Sequence, residues 1–287
     1  RISLNRDGTI SLSEGSQDIG GTRVALAMIA AEALSIPVES VHPSIPSTND
    51  IGYTYATAGS RVINATGQAV WEAAHALIEK AKSQAADVLE TPKDQISFSE
   101  GLFKGTSDQT LSLADIARLL DETEDSLEVS GQANPTAPTN GFAVHICDLE
   151  IDGGTGKTEI TRYTTIQDVG TAVHPAYVEG QMQGGAAQGI GWTLNEEYKF
   201  DDEGTMLNSS FLDYRMPTTI DMPMIDTILV EVPNPLHPVG VRGVAETPIV
   251  PPLGTVANAV HDATKIRFYQ HPINPQKILS ALQHKAE

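Results

Sequence analysis

Residues 22–34 read Thr-Arg-Val-Ala-Leu-Ala-Met-Ile-Ala-Ala-Glu-Ala-Leu, a helical stretch with apolar side chains on almost every side. Val24, Leu26, Met28 and Ile29 surround the helix instead of lining one stripe, so it is stable only when buried on nearly all faces. A chain with such an element must build core around it, and 287 residues suffice for one large domain or two modest ones. The glycine-bearing segment 15–21 leads into this helix, which aims the N-terminus of a core element at whatever lies beyond the loop.

The strands around it come as hairpins. Ile2-Ser3-Leu4 and Ile10-Ser11-Leu12 flank Asp7-Gly8, residues 96–98 and 102–104 form a second pair, and 142–151 and 157–167 flank Asp152-Gly153-Gly154. Ser60 stands where it would cap a long proline-free helix reaching about residue 89, with Ile63, Val70, Ala74, Leu77 and Ala81 at helical intervals. Ser112 is placed to cap a short helix to residue 120. Further on, a strand is predicted at 227–232, a helix at 256–263, a short strand at 266–269 and a last helix after Asn274-Pro275. Strands that arrive in hairpins, without regular alternation with helices, predict an α+β fold of mixed sheets and buried helices, not a doubly wound one. The predicted organisation is a first subdomain at 1–121 with a small insertion at about 95–121, an acidic, turn-rich linker at 122–141, and a second subdomain at 142–287. Because the strand pattern is already under way at Ile2, the expectation is a fragment or a subunit that starts in mid-domain.

A formal net charge of −19 argues against nucleic acid or an anionic membrane surface as partner, since both select basic patches. No apolar run approaches the roughly twenty residues of a membrane span. Cys147 is the one cysteine. It cannot hold an iron–sulfur cluster, which takes about four thiolates, and its place in an alternating run predicts a core residue in a reduced, cytoplasmic setting. The histidines lack zinc-site spacing, and His42, His174, His237 and His271 each precede a proline, which favours extended loops.

Four segments offer chemistry. Residues 241–252, Val-Arg-Gly-Val-Ala-Glu-Thr-Pro-Ile-Val-Pro-Pro, isolate the carboxylate of Glu246 in a glycine-softened apolar run. Excluding water from such a carboxylate raises its pKa toward the range of a general base, although an ordinary Arg242–Glu246 pair closing a surface loop accounts for the same residues. The loop at 15–22 joins a strand to a helix and so presents backbone amides to an anion, yet it has neither the Gly-x-Gly-x-x-Gly spacing nor a Gly-Lys-Ser/Thr ending. A tight turn fits it equally well. Residues 57–61 precede a helix in the same way. Gln188 lies among Gly184, Gly185, Gly189 and Gly191, a density that lets backbone approach another body closely, while a solvent-facing glutamine is the commoner case.

Gly15-Ser16-Gln17-Asp18-Ile19-Gly20-Gly21-Thr22, then Thr57-Ala58-Gly59-Ser60-Arg61, then Gly180-Gln181 with 184–191, and finally Glu246 follow one another in this order. On these segments the chain resembles, over most of its length, the C-terminal part of the molybdenum-cofactor-binding subunit of the xanthine dehydrogenase and aldehyde oxidase family. The similarity points to a split-subunit member of the nicotinate dehydrogenase kind. It implies that Asp18, Ile19, Gly20, Gly21 and Thr22 contact the pterin and pyrophosphate of the cofactor. Where many relatives carry Gly-Gln-Gly, this chain has Ile19-Gly20-Gly21, which removes one side-chain contact. The resemblance further implies that Ala58, Gly59 and Ser60 pass near the metal end, that Arg61 pairs with a cofactor phosphate, and that Gln181 and Gln188 bond the pterin and the metal's surroundings. No protein ligand to the metal is expected, because the pterin dithiolene holds molybdenum. The implied cofactor is molybdopterin as the cytosine dinucleotide, with iron–sulfur clusters and FAD on partner subunits. The implied partners are the subunit supplying the N-terminal half of the molybdenum domain, an iron–sulfur subunit and a flavin subunit. The implied reaction inserts water-derived oxygen at an electron-poor carbon of a small N-heteroaromatic or aldehyde substrate, with Glu246 as base. A non-catalytic cofactor-binding or assembly subunit is the alternative.

Overall fold

The computed structural model describes residues 1–123, 127–135 and 140–286. The chain divides into two compact units, Arg1–Pro138 with Pro233–Val241, and Thr139–Val232 with Arg242–Glu287. The return of residues 233–241 to the first unit is absent from the sequence-based division, which kept 142–287 together. Of the expected linker, residues 124–126 and 136–139 lie outside the described residues.

In the first unit, β1 (Ile2–Leu4) and β2 (Ile10–Ser13) pair antiparallel, Ile2 opposite Leu12 and Leu4 opposite Ile10, so all four apolar side chains enter one face. Helix α1 (Thr22–Leu34) leaves only Val24 and Glu32 exposed, as its all-round apolar pattern requires. Strand β3 (Val41–Ser44) runs parallel to β2, and α2 (Val62–Val88) buries Ala74, Leu77, Ala81 and Ala85 completely. Next come β4 (Ser97–Ser99), β5 (Leu102–Lys104) and β6 (Thr110–Ser112), which form a small antiparallel sheet. Helix α3 (Leu113–Thr123) starts with a reciprocal cap: Ser112 Oγ accepts the Asp115 N–H at 3.1 Å and Asp115 Oδ2 accepts the Ser112 N–H at 2.8 Å. Strand β7 (Leu127–Val129) completes a sheet of order β3-β2-β1-β7. Strands β3, β6 and β7 are three or four residues long, too short to show a period-two signal, and the sequence does not announce them.

Two sequence expectations fail in local geometry. Ser60 does not cap α2: it sits at φ 55° after Gly59 at φ 63°, and this left-handed turn passes the N-cap position to Arg61, which makes no side-chain cap. Residues 266–269 are not a strand; they leave the helix that ends at Thr264 through the left-handed Lys265, and the Ile266 N–H turns back to Thr264 Oγ1 at 3.1 Å.

His237 accounts for the return of residues 233–241. It is 5% exposed, its Nε2–H donates to the Asn64 carbonyl of α2 at 3.1 Å, and its Nδ1 accepts the Val239 N–H at 3.1 Å. These two bonds fix the tautomer, and burial holds the ring below the usual histidine range.

In the second unit, β8 (Phe142–Ile151) and β9 (Thr158–Asp168) form a long hairpin with an irregularity at Asp148/Leu149, and β10 (Ile225–Val230) joins β9 in parallel. Helices α4 (Pro175–Leu194), α5 (Pro251–Thr264) and α6 (Pro275–Ala286) supply the core on one face, where Ile160, Tyr163, Ala186, Ile190, Val256 and Ile278 pack together. Cys147 packs against this core, and burial pushes its thiol up to about 12, as befits a structural residue.

His145 is 8% exposed, with Nδ1 2.9 Å from the Tyr163 hydroxyl and Nε2 2.9 Å from Thr165 Oγ1. Burial lowers its pKa from 6.5 to about 4. The unfolded chain therefore takes up this proton first, and the stability tied to the neutral ring is complete above pH 6.5 and lost as pH falls toward about 4. We expect the urea midpoint of the unsubstituted chain to drop across that window and the drop to be smaller in His145→Gln. Equal pH dependence in both chains would remove His145 as the cause.

Candidate cofactor-binding site

In the first unit the two glycine loops meet. Thr57 Oγ1 donates to the Gln17 side chain, and Ser16 Oγ lies 2.7 Å from Thr66 Oγ1 on α2. A Cβ at Gly15 would fall 2.1 Å from the Ile51 side chain, so the bare glycine lets the 51–57 stretch close over the 15–21 loop. Together with the 130–133 segment they border a cavity of about 440 Å³, to which Ser16, Tyr55, Thr57 and Arg61 contribute. The Arg61 guanidinium lies 5.2 Å from the centre of the Tyr55 ring, a cation–π distance.

The N-terminus of α1 is occupied from within. Gly20 and Gly21 take left-handed φ values of 61° and 77°, and the turn brings Asp18 Oδ1 to the Arg23 N–H at 3.0 Å while Oδ2 lies 3.8 Å from the Arg23 guanidinium. A carboxylate already neutralising the helix end disfavours a second anion there. What the loop leaves open is the exposed backbone of Gln17, Asp18, Ile19 and Gly20, with Thr22 Oγ1 tied down to the Gln17 carbonyl at 3.1 Å. Ala58 and Gly59 are exposed beside it, with Ser60 partly covered.

Gln181, Gln188 and Glu246 belong to the second unit. The glycine-dense stretch is not a loop: it forms most of the twenty-residue helix α4, on which His174 caps the N-terminus by accepting the Tyr177 N–H at 3.4 Å. Glycine in a helix costs up to about 1 kcal/mol relative to alanine, so five of them here demand a reason. Part of it is contact with the Glu246 segment: a Cβ at Gly185 would lie 2.8 Å from the Ala245 carbonyl and 2.5 Å from Pro248, and one at Gly189 would lie 2.5 Å from the Ile249 carbonyl. Residues 245–252 thus lie directly on the bare face of α4. Gln181, Gly184 and Gln188, at i, i+3 and i+7, line the adjoining face, where Gly184 and Gln188 are exposed and Gln181 is partly so. A row with two side-chain amides can both donate and accept.

Glu246 occupies the N-cap position of a single 3-10 turn, Thr247–Ile249, and is exposed on this chain. The dry surroundings expected from its apolar neighbours are not provided by them: Val244, Ala245 and Ile249 are only partly buried and Val250 is 71% exposed. The residues that hold the segment escaped notice in the sequence. Gln167, fully buried on β9, donates Nε2–H to the Val244 carbonyl at 3.0 Å, and Thr247 Oγ1 donates to the Gly243 carbonyl at 3.3 Å. Arg242 pairs with Asp168 at 3.1 Å, both side chains largely buried, and also donates to the carbonyls of Val232 and Asn140. The sequence signal for this pair was the arginine beside the Glu246 run; its partner, an acid ending a strand 74 positions earlier by residue number, is visible only in three dimensions.

Among the described residues no group of three or more His, Cys, Asp or Glu side chains is arranged to hold a metal ion, and no helix is long and apolar enough to cross a membrane.

The molybdopterin cofactor-binding domain family matches residues 1–223. Over 98% of its length the chain is 30% identical to the nicotine 6-hydroxylase large subunit of Paenarthrobacter nicotinovorans and covers 36% of that protein. It is 32% identical over 91% of its length to the carbon monoxide dehydrogenase large chain of Hydrogenophaga pseudoflava, covering 32% of it. Its fold is similar to that of quinoline 2-oxidoreductase from Pseudomonas putida 86, with a TM-score of 0.89 at 28% identity over 98% of this chain and 38% of that one. The chain spans about a third of the length of these curated relatives. Glu246 lies beyond the residues matched by the family, whereas the loops at 15–22 and 57–61 and all of α4 lie within them. With its α+β architecture and most of its length accounted for in this way, the chain belongs to the molybdopterin cofactor-binding domain family, found in the molybdenum-binding subunits of xanthine oxidase relatives.

Proposed function

We propose that this chain is the C-terminal part of the molybdenum-cofactor-binding subunit of a cytoplasmic molybdenum hydroxylase, which inserts water-derived oxygen at an electron-poor carbon of an N-heteroaromatic or aldehyde substrate. The observation that carries this reading is the packing of the Glu246 segment onto the glycine face of α4, next to the row that holds Gln181 and Gln188. The residues present suit a pterin dinucleotide. In the second unit Gly180 and Gly184 have open space where a Cβ would stand, so a flat polar ring system can lie against backbone, and in the first unit Arg61 offers donors at a cavity edge.

In this reading Gln181 bonds the pterin and Gln188 the surroundings of the metal through their amides, Asp18, Ile19, Gly20, Gly21 and Thr22 contact the pterin through the backbone they leave open, Ala58, Gly59 and Ser60 pass near the metal end, and Arg61 pairs with a cofactor phosphate. Glu246 accepts on its carboxylate the proton released as the water-derived oxygen bonds to carbon. The molybdenum cofactor, proposed as the cytosine dinucleotide, supplies the two-electron acceptor when bound. Iron–sulfur clusters and FAD, which would carry the electrons onward, would be held by partner subunits, since the single thiol of this chain cannot hold a cluster. Exclusion of water from the exposed Glu246 falls to the part of the molybdenum subunit outside this chain, which also shapes the substrate pocket.

Because Glu246 is exposed and lies past residue 223, a cofactor-binding subunit without the base is the second reading. The first test is metal and pterin analysis of the native complex purified through this chain, with its partner polypeptides identified. Stoichiometric molybdenum with cluster-bearing partners is expected; a metal-free, partnerless chain would refute the proposal.

A further inference from the structure

The sheet of the second unit has a bare face. Strand β8 reads Phe-Ala-Val-His-Ile-Cys-Asp-Leu-Glu-Ile, and its register decides where each side chain goes. His145, Cys147 and Leu149 turn toward the helices, together with Thr165 and Tyr163 of β9. The opposite face collects Phe142, Val144 and Ile146 at 62%, 62% and 53% exposure, with Ile228 and Val230 of β10 at 50% and 40% and Val232 just beyond at 52%. Val144 pairs with Ile166 of β9, which pairs in turn with Ile228, so the apolar side chains are contiguous across all three strands.

A sheet with one face in water alternates apolar-in and polar-out. Strand β8 obeys this only from Asp148 onward, where Asp148 and Glu150 point outward; before it, residues 142–147 carry no charged side chain at neutral pH on either face. The change falls at the Asp148/Leu149 irregularity, so the apolar region ends at a defined edge. That edge is charged: Asp148 stands opposite Arg162, which pairs with Asp226 at 3.3 Å, and beyond them Glu150 stands directly opposite Glu159, a like-charge pair that gains from a cation placed over it. An apolar centre bounded by charge is the anatomy of a protein interface, not of a solvated sheet.

We infer that this outer face, Phe142, Val144, Ile146, Ile228 and Val230, docks the part of the molybdenum subunit that lies outside this chain, through an apolar surface rimmed by lysine or arginine. The inference rests on the function proposed above. The relatives' chains run far beyond the portion this chain matches, and that remainder needs a seat; this face is an apolar surface open to receive it. A second copy of this chain is disfavoured by charge, since a symmetric pairing would bring together two chains of net charge −19 each.

The test places the photo-cross-linker p-benzoylphenylalanine at position 144 or 228, with position 265 after α5 as control, in the complex purified from its host through this chain. The cross-linked peptides are sequenced and molybdenum is measured in the same sample. Cross-links from 144 and 228, absent from 265, to a peptide aligning with the large-subunit relatives outside the part matched here would establish the docking face, whether or not molybdenum is present. Cross-links to another copy of this chain, to an unrelated polypeptide or to nothing would overturn it, and the molybdenum content then reports separately whether the proposed function also falls.

Discussion

Glu246→Gln, introduced into the assembled complex, is expected to lower turnover by about 10²- to 10⁴-fold, the usual contribution of a positioned general base, with molybdenum and pterin content unchanged. Glutamine keeps the shape and hydrogen bonding of the side chain but cannot take a proton. The substitution is mild for the fold: Glu246 is exposed, its side chain makes no cap bond to the 3-10 turn that follows, and exposed substitutions usually stay within about 0.5 kcal/mol. Near-normal turnover at full cofactor content would take Glu246 out of the mechanism and favour the reading of a cofactor-binding subunit without a base.

The second large effect is expected on stability. Arg242→Met should destabilise the chain by about 3–5 kcal/mol, because it leaves the carboxylate of Asp168 largely buried without its counter-charge. Asp168 cannot easily move to water: its Oδ1 also accepts the N–H groups of Gly170 at 3.0 Å and Val232 at 3.3 Å, which fasten the ends of β9 and β10 together. Arg242 contributes on its side by binding the carbonyls of Val232 and Asn140, so methionine also orphans two acceptors. Arg242→Lys, which keeps the charge but not the planar fork, should lose less. Urea midpoints of the single variants and of Arg242→Met combined with Asp168→Asn provide the check. The pair should be less destabilised than the two singles together, by roughly 0.5–3 kcal/mol of coupling. A loss of only about 0.5 kcal/mol from Arg242→Met would mean the pair behaves like an exposed one.

Much of the local structure is legible in the sequence because its causes lie within a few residues of one another. The bounds of α1, the hairpin of β8 and β9 about Asp152-Gly153-Gly154 and the Ser112 cap of α3 follow from apolar period, turn chemistry and a capping side chain. The site is legible only in part. The glycines around Gln181 and Gln188 speak against a helix by propensity, yet α4 forms, because the 245–252 segment needs bare backbone at Gly185 and Gly189 and that packing outweighs the propensity. Ser60 reads as a cap from its type and position; its φ of 55° depends on how Gly59 turns the chain ahead of α2.

What the sequence determined by itself is therefore the kind of element at most positions, the buried character of α1 and the order of the glycine-rich segments through which the family is recognised. The tertiary structure alone decided that residues 233–241 return to the first unit through His237 and Asn64, and that Asp18 neutralises the end of α1. It also decided that Arg242 pairs with Asp168 instead of closing a local loop, and that Glu246 stands exposed on this chain. The reason is physical: propensity and period act over one or two turns of chain, whereas burial and ion pairing depend on side chains brought together from distant positions, which local pattern does not specify.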